Sequence, residues 1–294
     1  MFNLPNQIKV IASGFFLALC PPIAACAEPV IDAVRSIERD LGARVGFYMH
    51  DTQTGEVITY AADDHFPLNS TFKLLACGAL LSQVENGEAR LADTVSLQDV
   101  EFVDYSPALE AHRQAGNWEV SLGAACGMML SVSDNTAANI VLSALGGPGA
   151  LTSYLRSIGD QATRLDRWET ALNTAVPGDP RDTTTPRAIA QSAQDLIIGN
   201  ALQPASQATL RAWLEDHRVA DGLFRSALPS AWSIDDRTGA GGYGSRSIVA
   251  VIYPPERAPI IVSLFMTETE ASFARKNAAA ARVGAAIVGH VAQQ

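Results

Sequence analysis

Strand-forming sequence sits at the two ends of this chain, and that separation limits how it can fold. Arg44 to His50 and Glu56 to Tyr60 are β-type runs around Asp51-Thr52-Gln53-Thr54-Gly55, a hairpin pattern. The next such runs are Trp232 to Arg237, Ser247 to Tyr253 and Ile260 to Met266. From about Pro67 to Asp216 the apolar residues recur at helical spacing. A hairpin alone is marginal in water, so the two ends are expected to join in one antiparallel sheet. Val30, Val34, Ile37 and Leu41, closed by Gly42, predict a helix before the sheet, and the Ala-rich stretch from Ala271 to Val291 predicts one after it. The expected class is α+β. One lobe, an α/β sandwich, covers about 28–66 and 217–294; an all-α lobe covers about 67–216. The cleft between lobes is where a ligand site belongs.

Within the middle, Leu74-Leu75, Ala79-Leu80 and Val84 form one face of a helix beginning near Ser70. Thr136 to Leu145 forms another, stopped by Gly146-Gly147-Pro148, and Leu151, Tyr154, Leu155 and Ile158 mark a third. Residues 163–185 lack periodicity and hold Pro177, Gly178 and Pro180. A loop that long inside a compact domain is usually functional, and Leu165, Trp168 and Leu172 predict that it packs.

The formal charge of −10, with no basic stripe, argues against nucleic acid or an anionic membrane surface as partner. An anionic ligand would have to be drawn by local cations. Residues 1–27 read as a secretory signal: Lys9 is the charged start, Val10 to Cys20 the apolar core, and Ala25-Cys26-Ala27 a small-residue cleavage site. Ile23-Ala24-Ala25-Cys26 supports a second reading, a lipobox in which Cys26 carries a lipid anchor. The mature domain is then 28–294, periplasmic, or held at the outer membrane through Cys26. Beyond the leader only Cys77 and Cys126 remain; in an exported chain they are either a disulfide or two buried thiols. The five histidines are scattered, so neither a metal nor another cofactor is expected.

The chemistry lies in short motifs. Ser70-Thr71-Phe72-Lys73 places a hydroxyl and an amine three apart at a helix start, on one face and within hydrogen-bond reach. A dry site can lower the lysine pKa, and the helix N-terminus suits a developing oxyanion. Ser133-Asp134-Asn135 precedes the helix from Thr136: Ser133 can relay a proton, Asn135 can bind an amide, and Asp134 braces the loop. Arg237-Thr238-Gly239 ends a strand; Arg237 with Thr238 can bind a carboxylate, Gly239 can admit a substrate backbone, and Arg246 opens the next strand. Glu169 and Asn173, four apart in the long loop, can hold one water between them. Arg167 and Asp182 can close that loop as an ion pair, which matters only if partly buried.

Taken together, S-x-x-K, S-D-N, Arg167-Trp168-Glu169-Thr170-Ala171-Leu172-Asn173 and R-T-G, in this order and spacing, resemble the class A serine β-lactamases. The similarity runs from about residue 29 to the end and includes Tyr105-Ser106-Pro107 at the cleft rim. The resemblance implies the fold shared with penicillin-binding proteins, a monomer, a small-molecule β-lactam substrate and a Cys77–Cys126 disulfide. It implies Ser70 as the acylated nucleophile, Lys73 or Glu169 as its base, and Ser133 as proton donor to the lactam nitrogen. It implies backbone N–H groups of Ser70 and Ala240 as the oxyanion hole, and Glu169 with Asn173 as the water-activating pair. Arg237, Thr238 and Arg246 would hold the substrate carboxylate, and Asn135 the acyl amide. Arginine where most of the family has lysine resembles the carbenicillin-hydrolysing subgroup, so penicillins including carboxypenicillins are the expected substrates. Two related readings differ in turnover: a D,D-peptidase, against which Glu169 argues, and a β-lactam sensor, whose signalling region is not found in this sequence.

Overall fold

A computed structural model describes residues 1–2 and 24–294 of the chain. The expected leader, with the lipid attachment at Cys26, lies outside the described residues except for residues 1–2 and the backbone of residues 24–27. No described helix is long and apolar enough to cross a membrane.

The chain opens with α1 (Ala24–Leu41), the hairpin β1 (Arg44–Asp51) and β2 (Val57–Tyr60), and the short β3 (Phe66–Pro67). The middle holds α2 (Phe72–Glu85), β4 (Thr94–Ser96), α3 (Pro107–Gln114), β5 (Glu119–Ser121), α4 (Leu122–Ser131), α5 (Asn135–Leu145) and α6 (Pro148–Ser157). It continues through β6 (Thr183–Thr184), α7 (Pro186–Ile197) and α8 (Pro204–Glu215). The end returns to β7 (Ser233–Ala240), β8 (Arg246–Tyr253), β9 (Ile260–Thr267) and α9 (Phe273–Val291).

The two ends do join. The antiparallel sheet runs β2-β1-β9-β8-β7, with Phe47 opposite Leu264 and Gly239 opposite Ser247. Alternation along β8 divides its side chains between two cores. Ile248, Ala250 and Ile252 face the layer of α1 and α9, where Val34, Ile37, Val283 and Ile287 are buried. Val249 and Val251 face the helical middle, where Ile189, Ala193 and Leu196 of α7 meet them. Both faces of the central strands are therefore covered, which explains why β8 and β9 read as nearly unbroken apolar runs.

Three details of the middle place the site. Phe72 to Leu81 of α2 are all buried, so this helix runs through the helical core instead of lying on it. Cys77 and Cys126 are disulfide-bonded, joining α2 to α4. Asp134 caps α5 by accepting from the Ala137 N–H at 2.9 Å and also takes the Leu109 N–H at 2.9 Å, the bracing expected of it. The two-stranded pairs β3–β6 and β4–β5 carry too few residues to show a period in the sequence.

Candidate active site

Ser70 stands in a tight 3-10 turn, Asn69–Thr71, that leads into α2. β7 is the edge strand of the sheet and packs along this turn. A cavity of about 350 Å³ opens between them, lined by Ser70, Ser133, Asn135, Asn173, Thr238 and Arg246, with Tyr105, Gly239 and Ala240 also on its wall. None of its lining residues is acidic. Asn69, Tyr105 and Ser133 hold positive φ of 45°, 61° and 65°. Such backbone costs about 1–3 kcal/mol per residue, and these three residues carry it beside the cavity.

Beneath the cavity floor runs a connected polar network. The Lys73 ammonium is fully buried and lies 3.2 Å from Glu169 Oε1. It donates to the Ser133 carbonyl at 2.8 Å, to Ser133 Oγ at 3.2 Å and to Asn135 Oδ1 at 2.6 Å. Burial draws its pKa down to about 8, Glu169 opposing and Arg237 reinforcing the shift. The expected Ser70–Lys73 hydrogen bond is absent among the described residues. Ser70 precedes the α-helix proper, and three other acceptors occupy the amine.

Glu169 is fixed from two sides. Asn173 Nδ2 donates to its Oε2 at 2.5 Å. Its backbone is clamped by Asn139, whose Oδ1 accepts from the Glu169 N–H and whose Nδ2 donates to the Glu169 carbonyl, both at 2.9 Å. Asn139 lies one turn beyond Asn135 on α5, and sequence reasoning missed it. Its i, i+4 spacing from Asn135 was the available signal, but its partner is 30 residues away. Among the described residues, Glu169 Oε1 and Asn173 Oδ1 are buried without a hydrogen-bond donor.

An ion pair spans the loop that carries Glu169. Arg167 Nε meets Asp182 Oδ2 at 2.5 Å, with side chains 19% and 1% exposed, so this pair is largely withdrawn from water. Asp182 Oδ1 also accepts the N–H groups of Asp166 and Arg167. Leu165 and Leu172 are buried, but Trp168 stays 43% exposed, lying over Gly147.

Two expectations on β7 change. Arg237 is not on the cavity wall: it is fully buried, donating to Ser133 Oγ at 2.5 Å, to the carbonyls of Ser70 and Leu130 at 3.2 Å each, and to His217. Gly239 lines the cavity, yet an added Cβ would strike Ser247 Oγ at 2.7 Å and Leu68 O at 3.1 Å. Its smallness lets β7 pack on the Ser70 turn. Arg246 keeps a cavity position; it donates to Asn277 Oδ1 at 2.9 Å and to the Gly239 carbonyl at 3.0 Å, while its Nη2 has no hydrogen-bond partner among the described residues. Burial lowers both guanidiniums to about 10, so each stays charged at neutral pH.

Known proteins of the same build are numerous. The model of the "Beta-lactamase enzyme family" matches residues 29–291. The chain is 45% identical over 272 residues to Beta-lactamase AER-1 of Aeromonas hydrophila, covering 92% of this chain and 89% of that protein. It is 46% identical over 260 residues to Beta-lactamase CARB-3 of Pseudomonas aeruginosa, covering 88% and 89%. Among solved structures, the last common ancestor of Gram-negative bacteria (GNCA4) class A β-lactamase superposes with a TM-score of 0.85 at 42% identity, over 91% of this chain and 99% of that one. The chromosome-encoded β-lactamase of Vibrio parahaemolyticus gives 0.84 at 41% identity, over 90% and 100%. Likeness of this extent, on a chain whose buried polar network faces a cavity at Ser70, places the protein in the β-lactamase enzyme family as a class A serine enzyme that hydrolyses β-lactams.

Proposed function

We propose that this enzyme is an exported penicillinase that includes carboxypenicillins among its substrates, with Ser70 as nucleophile and Glu169 as the base for deacylation. Ser70 Oγ attacks the lactam carbonyl, and the oxyanion forms against the N–H groups of Ser70 and Ala240. The proton leaving Ser70 passes into the Lys73–Glu169 pair, whichever of the two receives it first, since they stand 3.2 Å apart. As the C–N bond breaks, Ser133 supplies the lactam nitrogen with a proton. Its oxygen already accepts from Lys73 and Arg237, which leaves its own O–H free to donate. Water then attacks the acyl ester and Ser70 departs.

The observation that carries this reading is Glu169 Oε1: a buried carboxylate oxygen, 3.2 Å from Lys73 and lacking a hydrogen-bond donor among the described residues, on a residue that Asn173 and Asn139 hold still. It is the acceptor left for a water. Replacing Glu169 by Ala should allow acylation and strand the adduct. Intact-mass spectrometry after mixing with benzylpenicillin should show long-lived covalent protein, and none with Ser70→Ala. Clearance at the parent rate would refute the role.

Thr238 and Arg246 hold the substrate carboxylate at the wall, while Arg237 acts from behind Ser133. With two buried cations and no acid in the lining, the cavity favours anionic substrates despite the net charge of −10. Asn135 serves the acyl amide through the amide hydrogen not given to the Asp104 carbonyl. The mature domain of residues 28–294, with its α/β lobe at about 28–66 and 217–294 and its all-α lobe at about 67–216, works as a monomer in the periplasm. The leader pattern and the Cys77–Cys126 bridge, which needs an oxidising compartment, support that location. Attachment to the outer membrane through a lipid on Cys26 is the alternative location.

A further inference from the structure

Behind the network already described lies a second buried charged group that the reaction as written does not use. His217 follows the end of α8, and its ring is fully buried. Its Nδ1 is 3.0 Å from Asp236 Oδ1, and its Nε2 is 2.8 Å from Arg237 Nη1. Asp236 is also held by Arg225, whose Nη2 and Nε donate to Oδ1 at 2.7 Å and 3.1 Å. The segment is stitched to the end of α4. The Arg218 N–H donates to the Ser131 carbonyl at 2.9 Å, and Ser131 Oγ donates to Asp216 Oδ2 at 2.8 Å.

These contacts assign the proton on the ring. Arginine can only donate, so Nε2 must be the bare nitrogen. The proton therefore sits on Nδ1 and is given to Asp236. We infer that His217 is a positioning residue for acylation: as a neutral acceptor it fixes the Arg237 guanidinium, and the other end of that guanidinium fixes Ser133 Oγ. This positioning role rests on the proposed proton-donor role of Ser133. A charged ring would turn Nε2–H toward the Arg237 N–H, donor against donor and cation against cation. Burial, with Arg237 and Arg225 adding to it, pushes the imidazole pKa below its usual value in spite of Asp236, so the ring is neutral at neutral pH.

Arg237 has three other acceptors, so losing His217 need not displace it from the site. What His217 adds is direction: at 2.8 Å, against 3.2 Å for the Leu130 carbonyl on the same nitrogen, it is the shorter restraint on Nη1, so that the planar fork presents Nη2 to Ser133. The restraint is specific to one ring nitrogen, and two amide side chains can separate the two halves of the ring. Gln places an amide oxygen where Nε2 accepts from Arg237. Asn places an amide nitrogen where Nδ1 donates to Asp236 and leaves the Arg237 side without an acceptor.

The test compares acylation by benzylpenicillin in rapid-mix experiments, with thermal melting as a control. His217→Asn should acylate about tenfold more slowly or worse, the size of a lost hydrogen bond to a charged group. His217→Gln should recover most of that rate, and the difference should appear in kcat more than in KM. Equal acylation rates for the two variants, or rates that merely follow their melting temperatures, overturn the inference. If neither variant folds, ¹⁵N spectra of the parent enzyme at pH 7 decide it: a neutral ring protonated on Nδ1 is expected, and an Nε2-protonated or charged ring overturns it. Ser133→Ala is measured alongside. If it acylates at the parent rate, the role of Ser133 fails; if it is slow while the two His217 variants match each other, only the role of His217 fails.

Discussion

Arg237 shows how one side chain can be legible in a sequence while its position is not. The R-T-G triplet marks the residue, but triplets do not say that its fork points inward to Ser133, Leu130, Ser70 and His217. Its partners lie 20 to 167 residues away along the chain. Asn139 and Asp236 were hidden for the same reason, since each acts on a group brought to it by folding. Ser70, Lys73, Ser133 and Glu169 were visible because their spacing is local or belongs to a known ordered set. The choice of arginine has a consequence that can be measured. Desolvation lowers the guanidinium to about 10, which still leaves it charged. A lysine begins near 10.4 and would feel the same burial, so its charge would be lost nearer neutrality. Charge lost from the group weakens the hold on an anionic substrate as pH rises, and a dianion suffers more than a monoanion. Arg237→Lys should therefore lower kcat/KM for carbenicillin more than for benzylpenicillin, and the gap should widen between pH 7 and pH 9. Equal factors for the two substrates across that range would remove Arg237 from the account of carboxypenicillin use.

At the scale of elements, strands and helices with a long period were readable, and the loop at 163–185 was readable chiefly by its lack of one. The loop's packing was only partly anticipated, because Leu165 and Leu172 turn inward whereas Trp168 remains at the surface. What holds the loop is polar. Asp182 gathers the Arg167 side chain and two backbone N–H groups while holding a left-handed φ of 56°. Asn tolerates that backbone and keeps an oxygen for the N–H groups, so Asp182→Asn removes mainly the charge. Asp179, 4.0 Å from Arg167, offers a partial replacement. The expected cost is about 1–3 kcal/mol, the usual range for a lost hydrogen bond to a charged group. It should fall on the loop more than on the sheet. Glu169 would then be less well placed, and the acyl side of the cavity less confined. Benzylpenicillin kcat should drop about tenfold, roughly the 1.4 kcal/mol that such slack represents. The ratio of oxyimino-cephalosporin to benzylpenicillin kcat/KM should rise. If steady-state assays return the parent ratio, the ion pair does not set the width of the pocket.

At the scale of the molecule, the site is assembled from pieces that only the complete topology brings together. α2 carries Lys73, the chain after α4 carries Ser133, the loop before α7 carries Glu169, and the edge strand β7 carries Arg237 and Thr238. The Cys77–Cys126 bridge joins the first two of these, and both cysteines are wholly buried. Two roles can be separated. If the bridge aligned the catalytic groups, breaking it would lower kcat. If it only restrains the unfolded chain, breaking it would lower stability alone. The structure favours the second, because the same helices also share one buried core through Leu74, Leu81, Ala125, Met129 and Leu130, and Lys73 reaches Ser133 through its own hydrogen bonds. With the cysteines separated by 49 positions in the sequence, chain entropy sets the stabilisation at about 4 kcal/mol as an upper figure. In a chain of this size each kcal/mol moves the melting temperature by about 2–4 °C. Replacing both cysteines by Ala also removes two buried sulfurs and leaves small voids, which adds to the loss. The double variant should therefore melt about 8–16 °C lower, while kcat for benzylpenicillin at 25 °C stays within about threefold of the parent. Calorimetry and steady-state kinetics on the same preparations decide between the roles. An unchanged melting temperature, or a kcat that collapses while the fold persists, would show that the bridge acts on the site itself.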